Sequence, residues 1–144
     1  MIILVLVSAG LVIAVVTIHL AVLANLWRWI ARTKQLTRSR MGLAILGMVF
    51  GHLLEIAVFA IGLHFLTLSE QYGGLVGNTN SEFRDSFYYS AVTYTSLGYG
   101  DITPIGDVRI FAAVEALTGL LMIAWTASFT FLVMQQYWPT EDDL

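Results

Sequence analysis

Ser96, Leu97, Gly98, Tyr99 and Gly100 form the stretch of this sequence whose residue types point most directly to chemistry. Two glycines flank a tyrosine, a poor composition for the interior of a helix or strand, where glycine carries a large backbone entropy loss. Glycine offers instead backbone angles that are closed to residues bearing a Cβ. A run that reaches those angles can turn successive carbonyl oxygens toward one axis, and a ladder of carbonyls can replace the water around a dehydrated cation. Irregular backbone of this kind is tolerated at membrane depth only where protein buries it or where it lines an aqueous path.

The elements around the segment must therefore be membrane elements, and the composition agrees. Of 144 residues, 58% are hydrophobic and 12% charged, too little polar surface to cover a water-soluble globule. A spanning helix needs about 20 mostly apolar residues, and three runs supply that length, beginning near Ile2, Met41 and Val108. No charge occurs from Met1 to Leu26, so the first run predicts a helix over 1–30 that ends near Trp27 to Trp29, tryptophan being suited to the membrane interface. A secretory signal peptide is the competing reading, but its positive leading region, shorter apolar core and small-residue cleavage site are not found. The predicted remainder is an outer helix over 41–68, an inner helix over 108–137 and a short tail over 138–144.

Orientation follows from charge. Arg28, Arg32, Lys34, Arg38 and Arg40 crowd the first connector, whereas the other loops hold only Arg84 and Arg109 among many acids. The positive-inside rule makes that connector cytoplasmic, which puts the N-terminus outside and the tail in the cytoplasm. These arginines are not a voltage sensor: only Arg28 and Arg32 approach the required spacing, and they stand at a helix end. The tail is too short for a ligand-binding domain, so no gating stimulus can be read.

Between the second and third spans lies a segment too polar to cross the membrane. Its first part, Glu70 to Glu82, reads as a Gly/Asn-rich loop without periodicity, and neither Asn78 nor Asn80 opens a glycosylation acceptor. Asp85 and Ser86 are suited to cap a short helix, predicted over 84–95, that carries Phe87, Tyr88 and Tyr89 and delivers the chain to 96–100.

Anchored on Gly98-Tyr99-Gly100, the segment resembles the pore loop of the tetrameric potassium channels, with Thr93, Ser96, Asp101 and Pro104 in register. The similarity extends over Phe83 to Tyr137, and the domain over 41–137 looks like the bacterial two-helix pore module with an extra N-terminal transmembrane helix. The resemblance implies an all-α membrane protein of three transmembrane helices with a re-entrant pore helix and filter loop, assembled as a homotetramer in a lipid bilayer, in the bacterial inner membrane. It implies K+ as the permeant ion, held at Ser96, Leu97, Gly98 and Tyr99, with Gly100 completing the filter and Thr93 and Asp101 supporting it. No other cofactor and no nucleic acid is implied. Ser96 stands where the family usually has threonine and Leu97 where it usually has valine; each keeps a ligand, a hydroxyl or a carbonyl, while packing behind the filter changes. Val92 stands where some channels place a glutamate that holds the filter aspartate, so Asp101 lacks that partner.

Within the third span, Gly119 matches the family's hinge, although close helix packing is an equal explanation. Leu120, Ile123, Ala127 and Phe131 recur at helical spacing and are expected to line the pore, with Phe131 as a hydrophobic gate. Carboxylates inside spans are functional candidates by default. Glu115 is expected to brace the pore helix near Thr93 or Tyr94, and Glu55, one turn from His52, to form a satisfied polar pair rather than a proton sensor. The three histidines look scattered, with no metal cluster, and the absence of cysteine excludes thiolate sites and disulfides.

Gly98-Tyr99-Gly100-Asp101 also contains the Gly-x-Gly-Asp pattern of intramembrane aspartyl proteases, but that chemistry needs a second carboxylate at membrane depth to share a proton. Asp85 and Asp107, the nearest aspartates, sit at segment ends, so an enzyme is not expected. Two other readings keep the fold: a cation channel that passes Na+ as well as K+, and a non-conducting partner subunit.

Overall fold

The computed structural model describes residues 1–32, 38–80 and 82–137; Lys34 of the basic connector and the expected tail over 138–144 lie outside them. Three long helices, α1 (Ile2–Ala31), α2 (Arg38–Thr67) and α4 (Val108–Tyr137), account for most of the chain. Each has 30 residues, about 45 Å at the helical rise and ample for a hydrocarbon core of about 30 Å. All three are long and apolar enough to cross a membrane, and large apolar side chains such as Ile13, Phe50 and Leu117 lie on their outer faces. Apolar surface left outside suits lipid or neighbouring chains rather than water. The fold is that of an all-α membrane protein, with three helices suited to spanning among the described residues.

α1 runs antiparallel to α2 because glycines on α2 let the backbones close: Gly62 meets Leu11, Gly51 meets Val22 and Gly47 meets Leu26. The same helix runs parallel to α4, with Leu4 and Ser8 beside Ile110 and Val114 at one end, and Leu20 and Trp27 beside Trp125 and Phe129 at the other. The N-terminal helix thus packs along both α2 and α4.

Between α2 and α4 the chain forms a short helix, α3 (Phe83–Tyr94), seated in the fork of the two. Val15, Phe59, Leu63, Tyr94, Val108 and Phe111 form the core around it, with Phe59 and Phe111 edge to face at 5.9 Å. A smaller cluster of Ile30, Met41, Ala44 and Val133 closes the connector end.

Two expectations need correction here. α3 begins at Phe83 with Glu82 as its N-cap residue and no side-chain cap bond; Asp85 lies inside the first turn and instead accepts from Thr79 Oγ1 at 2.8 Å and the Asn80 N–H at 2.7 Å, fastening the incoming loop. Ser86 Oγ faces His64 Nδ1 at 3.5 Å. Nor is the stretch from Glu70 to Glu82 simply a loop: a 3-10 turn (Glu70–Tyr72) precedes strand β1 (Gly74–Gly77), which pairs antiparallel with β2 (Ile102–Ile105), Gly74 opposite Ile105 and Gly77 opposite Ile102. Four residues with two glycines show no period-2 alternation; the pairing is set by the partner strand, not by local pattern.

Candidate functional site

The segment over 96–100, expected to form a filter, hangs from the C-terminus of α3. The Leu97 N–H donates to the Val92 carbonyl at 2.9 Å and the Ser96 N–H to the Thr93 carbonyl at 2.9 Å, so the last turn of the helix passes directly into the loop. Thr95 Oγ1 closes the same turn on the Ala91 carbonyl at 2.8 Å. Positive φ then recurs at every second residue: Ser96 at 57°, Gly98 at 56° and Gly100 at 79°, with Leu97 and Tyr99 between them in the ordinary range. In an ordinary strand successive carbonyls point to opposite sides; alternation of left- and right-handed helical residues is the backbone condition for bringing them to one side. Gly98 and Gly100 meet it without a Cβ penalty, whereas Ser96 adopts it as the sole non-glycine at positive φ among the described residues.

The far end of the filter is fixed from two directions. Asp101 receives the Tyr88 hydroxyl on Oδ2 at 2.9 Å and the Asn78 N–H on its carbonyl at 3.0 Å. Asp101 therefore has a side-chain partner: Tyr88 on α3 supplies the bond that a glutamate at Val92 does not. That hydrogen bond, together with the nearby carboxylate, raises the Tyr88 phenol above its ordinary value, because it stabilises the protonated hydroxyl. Hydrogen bonds from Thr79 and the Asn80 N–H hold the Asp85 carboxyl below its usual value.

Leu97 and Tyr99 are 57% and 66% exposed, so the filter forms an unpaired face of the single chain. Leu120, Ile123, Ala127 and Phe131 are exposed on α4 as well. Ala127 and Phe131 also border a cavity of about 460 Å3 between α2 and α4, where His52 lies. Gly119 faces inward: a Cβ there would strike the Tyr94 carbonyl, so α4 crosses the end of α3 at backbone contact. Thr93 is half-buried.

Glu115 is fully buried, and neither oxygen has a hydrogen-bond partner among the described residues. Its polar neighbour on α3 is the Ser90 hydroxyl, likewise buried and unbonded, one turn before the expected Thr93 or Tyr94. Glu55 is fully buried too, but richly partnered: His19 Nδ1 lies 2.9 Å from Oε1, His52 Nδ1 3.2 Å from Oε2, and the Tyr94 hydroxyl donates to Oε2. His52 Nε2 meets Thr126 Oγ1 at 3.0 Å. The pair read from the sequence is one edge of a network that joins α1, α2, α3 and α4, and two of the three histidines are gathered rather than scattered. The contacts of His19 with Glu55 and of His52 with Thr126 join residues 36 and 74 positions apart, a separation that helical periodicity does not reveal.

A family model described as "Ion channel" matches residues 42–136, which takes in most of α2, the whole of α3, the loop over 96–100 and nearly all of α4. The chain belongs to this ion channel family. Residues 42–136 are thus those of an ion channel rather than of an enzyme, and the aspartyl protease reading of Asp101 falls away. "Protein LctB" of Geobacillus stearothermophilus is 45% identical over 65 residues, 45% of this chain and 47% of that protein. "Potassium voltage-gated channel protein shk-1" of Caenorhabditis elegans is 27% identical over 125 residues, 76% of this chain and 22% of that protein. Mouse "Potassium voltage-gated channel subfamily A member 5" is 29% identical over 96 residues, 66% of this chain and 14% of that protein. This channel thus spans less than half the length of these relatives. No solved structure matches it.

Proposed function

We propose that the chain is one subunit of a homotetrameric, potassium-selective channel that conducts K+ passively through a filter of carbonyl oxygens. The observation that carries this reading is the alternation of positive φ at Ser96, Gly98 and Gly100, in a loop tied to α3 at one end and to Tyr88 and β1 at the other. K+ is held by the Ser96, Leu97, Gly98 and Tyr99 carbonyls and by the Ser96 hydroxyl, and hops between adjacent sites that are each too weak to trap it. The C-terminus of α3, whose carbonyls carry partial negative charge, favours a cation at the inner end. One loop supplies one side of such a site, so four chains must close around the axis, burying the exposed Leu97 and Tyr99.

Thr93, Asp101 and Glu115 support the filter, Glu115 through Ser90. Leu120, Ile123, Ala127 and Phe131 form the inner pathway, with Phe131 at its narrow end, and Gly119 seats α4 against the Tyr94 carbonyl beside it. The basic connector faces the cytoplasm of a bacterial cell and the filter faces outward, on the positive-inside rule. The two relatives whose names contain "potassium voltage-gated channel" support the choice of ion.

Purified protein in liposomes tests the reading by K+ against Na+ flux, with Ba2+ as blocker and Gly98→Ala as control. K+-selective, Ba2+-sensitive flux that disappears in the variant is expected. Equal K+ and Na+ fluxes would replace it with a nonselective channel, and folded protein without flux with a non-conducting partner subunit.

A further inference from the structure

We propose that His19, His52 and Glu55 form a binding site for a divalent transition-metal ion of the Zn2+ class, with the Tyr94 hydroxyl as fourth ligand. Their donor atoms, one from each of the three residues, all lie within 4.8 Å of one another. Both imidazoles turn Nδ1 toward the same carboxylate, at 2.9 and 3.2 Å, and the Tyr94 oxygen sits 3.0 Å from His52 Nδ1. Tetrahedral Zn2+ with bonds of about 2.0–2.1 Å holds its ligand atoms about 3.3 Å apart. The contacts of 2.9–3.2 Å lie just inside that spacing, and the wider pairs of the set, which stay within 4.8 Å, close as the ion enters.

Charge and tautomer favour the same occupant. A divalent cation inside a membrane must be neutralised locally; the Glu55 carboxylate and a Tyr94 phenolate supply two negative charges, and two neutral imidazoles complete the set. His19 is 3% exposed, and its Nε2 has no hydrogen-bond partner among the described residues. With metal on Nδ1 the ring proton resides on Nε2, beside the Trp125 ring at 5.3 Å between centroids, a weak acceptor. Without metal and with the proton on Nδ1, a bare lone pair is buried there. His52 Nε2, held by Thr126 Oγ1 at 3.0 Å, has the outer-shell partner that metal-binding histidines usually show. Access runs through the cavity between α2 and α4, which His52 and Thr126 both line.

Binding displaces the protons that the cluster shares, so it releases protons to the buffer. It also ties α1 and α2 to Tyr94, the last residue before the filter turn, which puts the ion in a position to regulate the pore.

The test is Co2+ titration of chelator-stripped protein in detergent micelles, read by visible absorption, with Zn2+ as competitor. It is independent of conduction, so it stands or falls separately from the flux experiment. One Co2+ per chain, an intense tetrahedral spectrum, displacement by Zn2+ and loss in His19→Gln and His52→Gln are expected. Thr126→Val, which leaves every ligand in place, is expected to weaken binding by about 10- to 100-fold, while His64→Gln leaves it unchanged. No Co2+ binding by the unaltered protein, a weak octahedral spectrum, or undiminished binding in folded His19→Gln and His52→Gln would overturn the proposal. Should those variants not fold, the spectrum of the unaltered protein and the Thr126→Val affinity decide.

Discussion

The Tyr88 hydroxyl reaches from the middle of α3 to Asp101 Oδ2, 2.9 Å away and 13 positions along the chain. It bridges the helix before the filter to the residue just after it, so the two ends of the irregular segment cannot separate while the bond holds. Tyr88→Phe removes only the donor. Amide hydrogen exchange over residues 98–105 and 76–79 is expected to quicken in this variant while exchange in α1 stays the same. Unchanged exchange at the filter's outer end would mean that the backbone bonds alone fix it.

Gly119 offers a second lever. Because a Cβ at 119 meets the rigid Tyr94 carbonyl rather than a flexible side chain, Gly119→Ala is expected to destabilise the protein by about 1–3 kcal/mol, read as a lower thermal midpoint in detergent. A midpoint equal to that of the unaltered chain would show that α4 can move off α3 freely, and would return the residue to the hinge role.

Acid should loosen the loop before α3. In the folded chain Thr79 and the Asn80 N–H hold the Asp85 carboxyl below its ordinary 3.8, so the folded state binds fewer protons there than the unfolded state. The contribution is complete above about pH 3.8 and is lost as pH falls through the lower folded value. Asp85→Asn is expected to flatten the stability profile in that window, measured by denaturant unfolding from pH 5 downward, and a profile identical to that of the unaltered chain would remove Asp85 from the account.

Glu115 and Ser90 are buried side by side without hydrogen bonds, and their pairing is measurable as coupling. A double-mutant cycle of Ser90→Ala and Glu115→Gln is expected to give an interaction of about 0.5–3 kcal/mol. Strict additivity would show that the carboxyl does not act on the pore helix through Ser90.

Phe131, exposed at the far end of α4 beside the α2 cleft, is expected to limit opening. Phe131→Ala should raise K+ flux per protein in liposomes without altering the K+ to Na+ ratio. Flux that does not change would place the constriction elsewhere.

What the sequence disclosed and what it withheld divide along physical lines. Apolar runs longer than a bilayer is thick and two glycines around Tyr99 are signals that one stretch of chain carries by itself, so the long apolar helices and the irregular loop over 96–100 could be read directly. Helix ends shifted by a few residues, α2 opening at Arg38 rather than Met41, since hydropathy marks the apolar stretch and not the last backbone bond. Tyr88 looked like one aromatic among three, and only the return of the chain through Asp101 reveals its hydroxyl as a filter support. His19, in an otherwise uncharged helix, has no local sign that it meets Glu55 36 positions later. β1 was hidden for the opposite reason: Gly74 and Gly77 weaken any strand pattern, and its partner lies beyond the whole of α3 and the filter.

The pairing of β1 with β2 bears on how the proposed pore would form. Pairing Gly77 with Ile102 encloses α3 and the filter within a loop whose two ends are already joined inside one chain. The entropy of closing such a loop is spent during the folding of a single subunit, and lengthening it raises that expenditure only logarithmically. In the tetramer proposed above, subunits would then meet with residues 96–100 already bent, leaving assembly to align four finished pieces around an axis rather than to shape them.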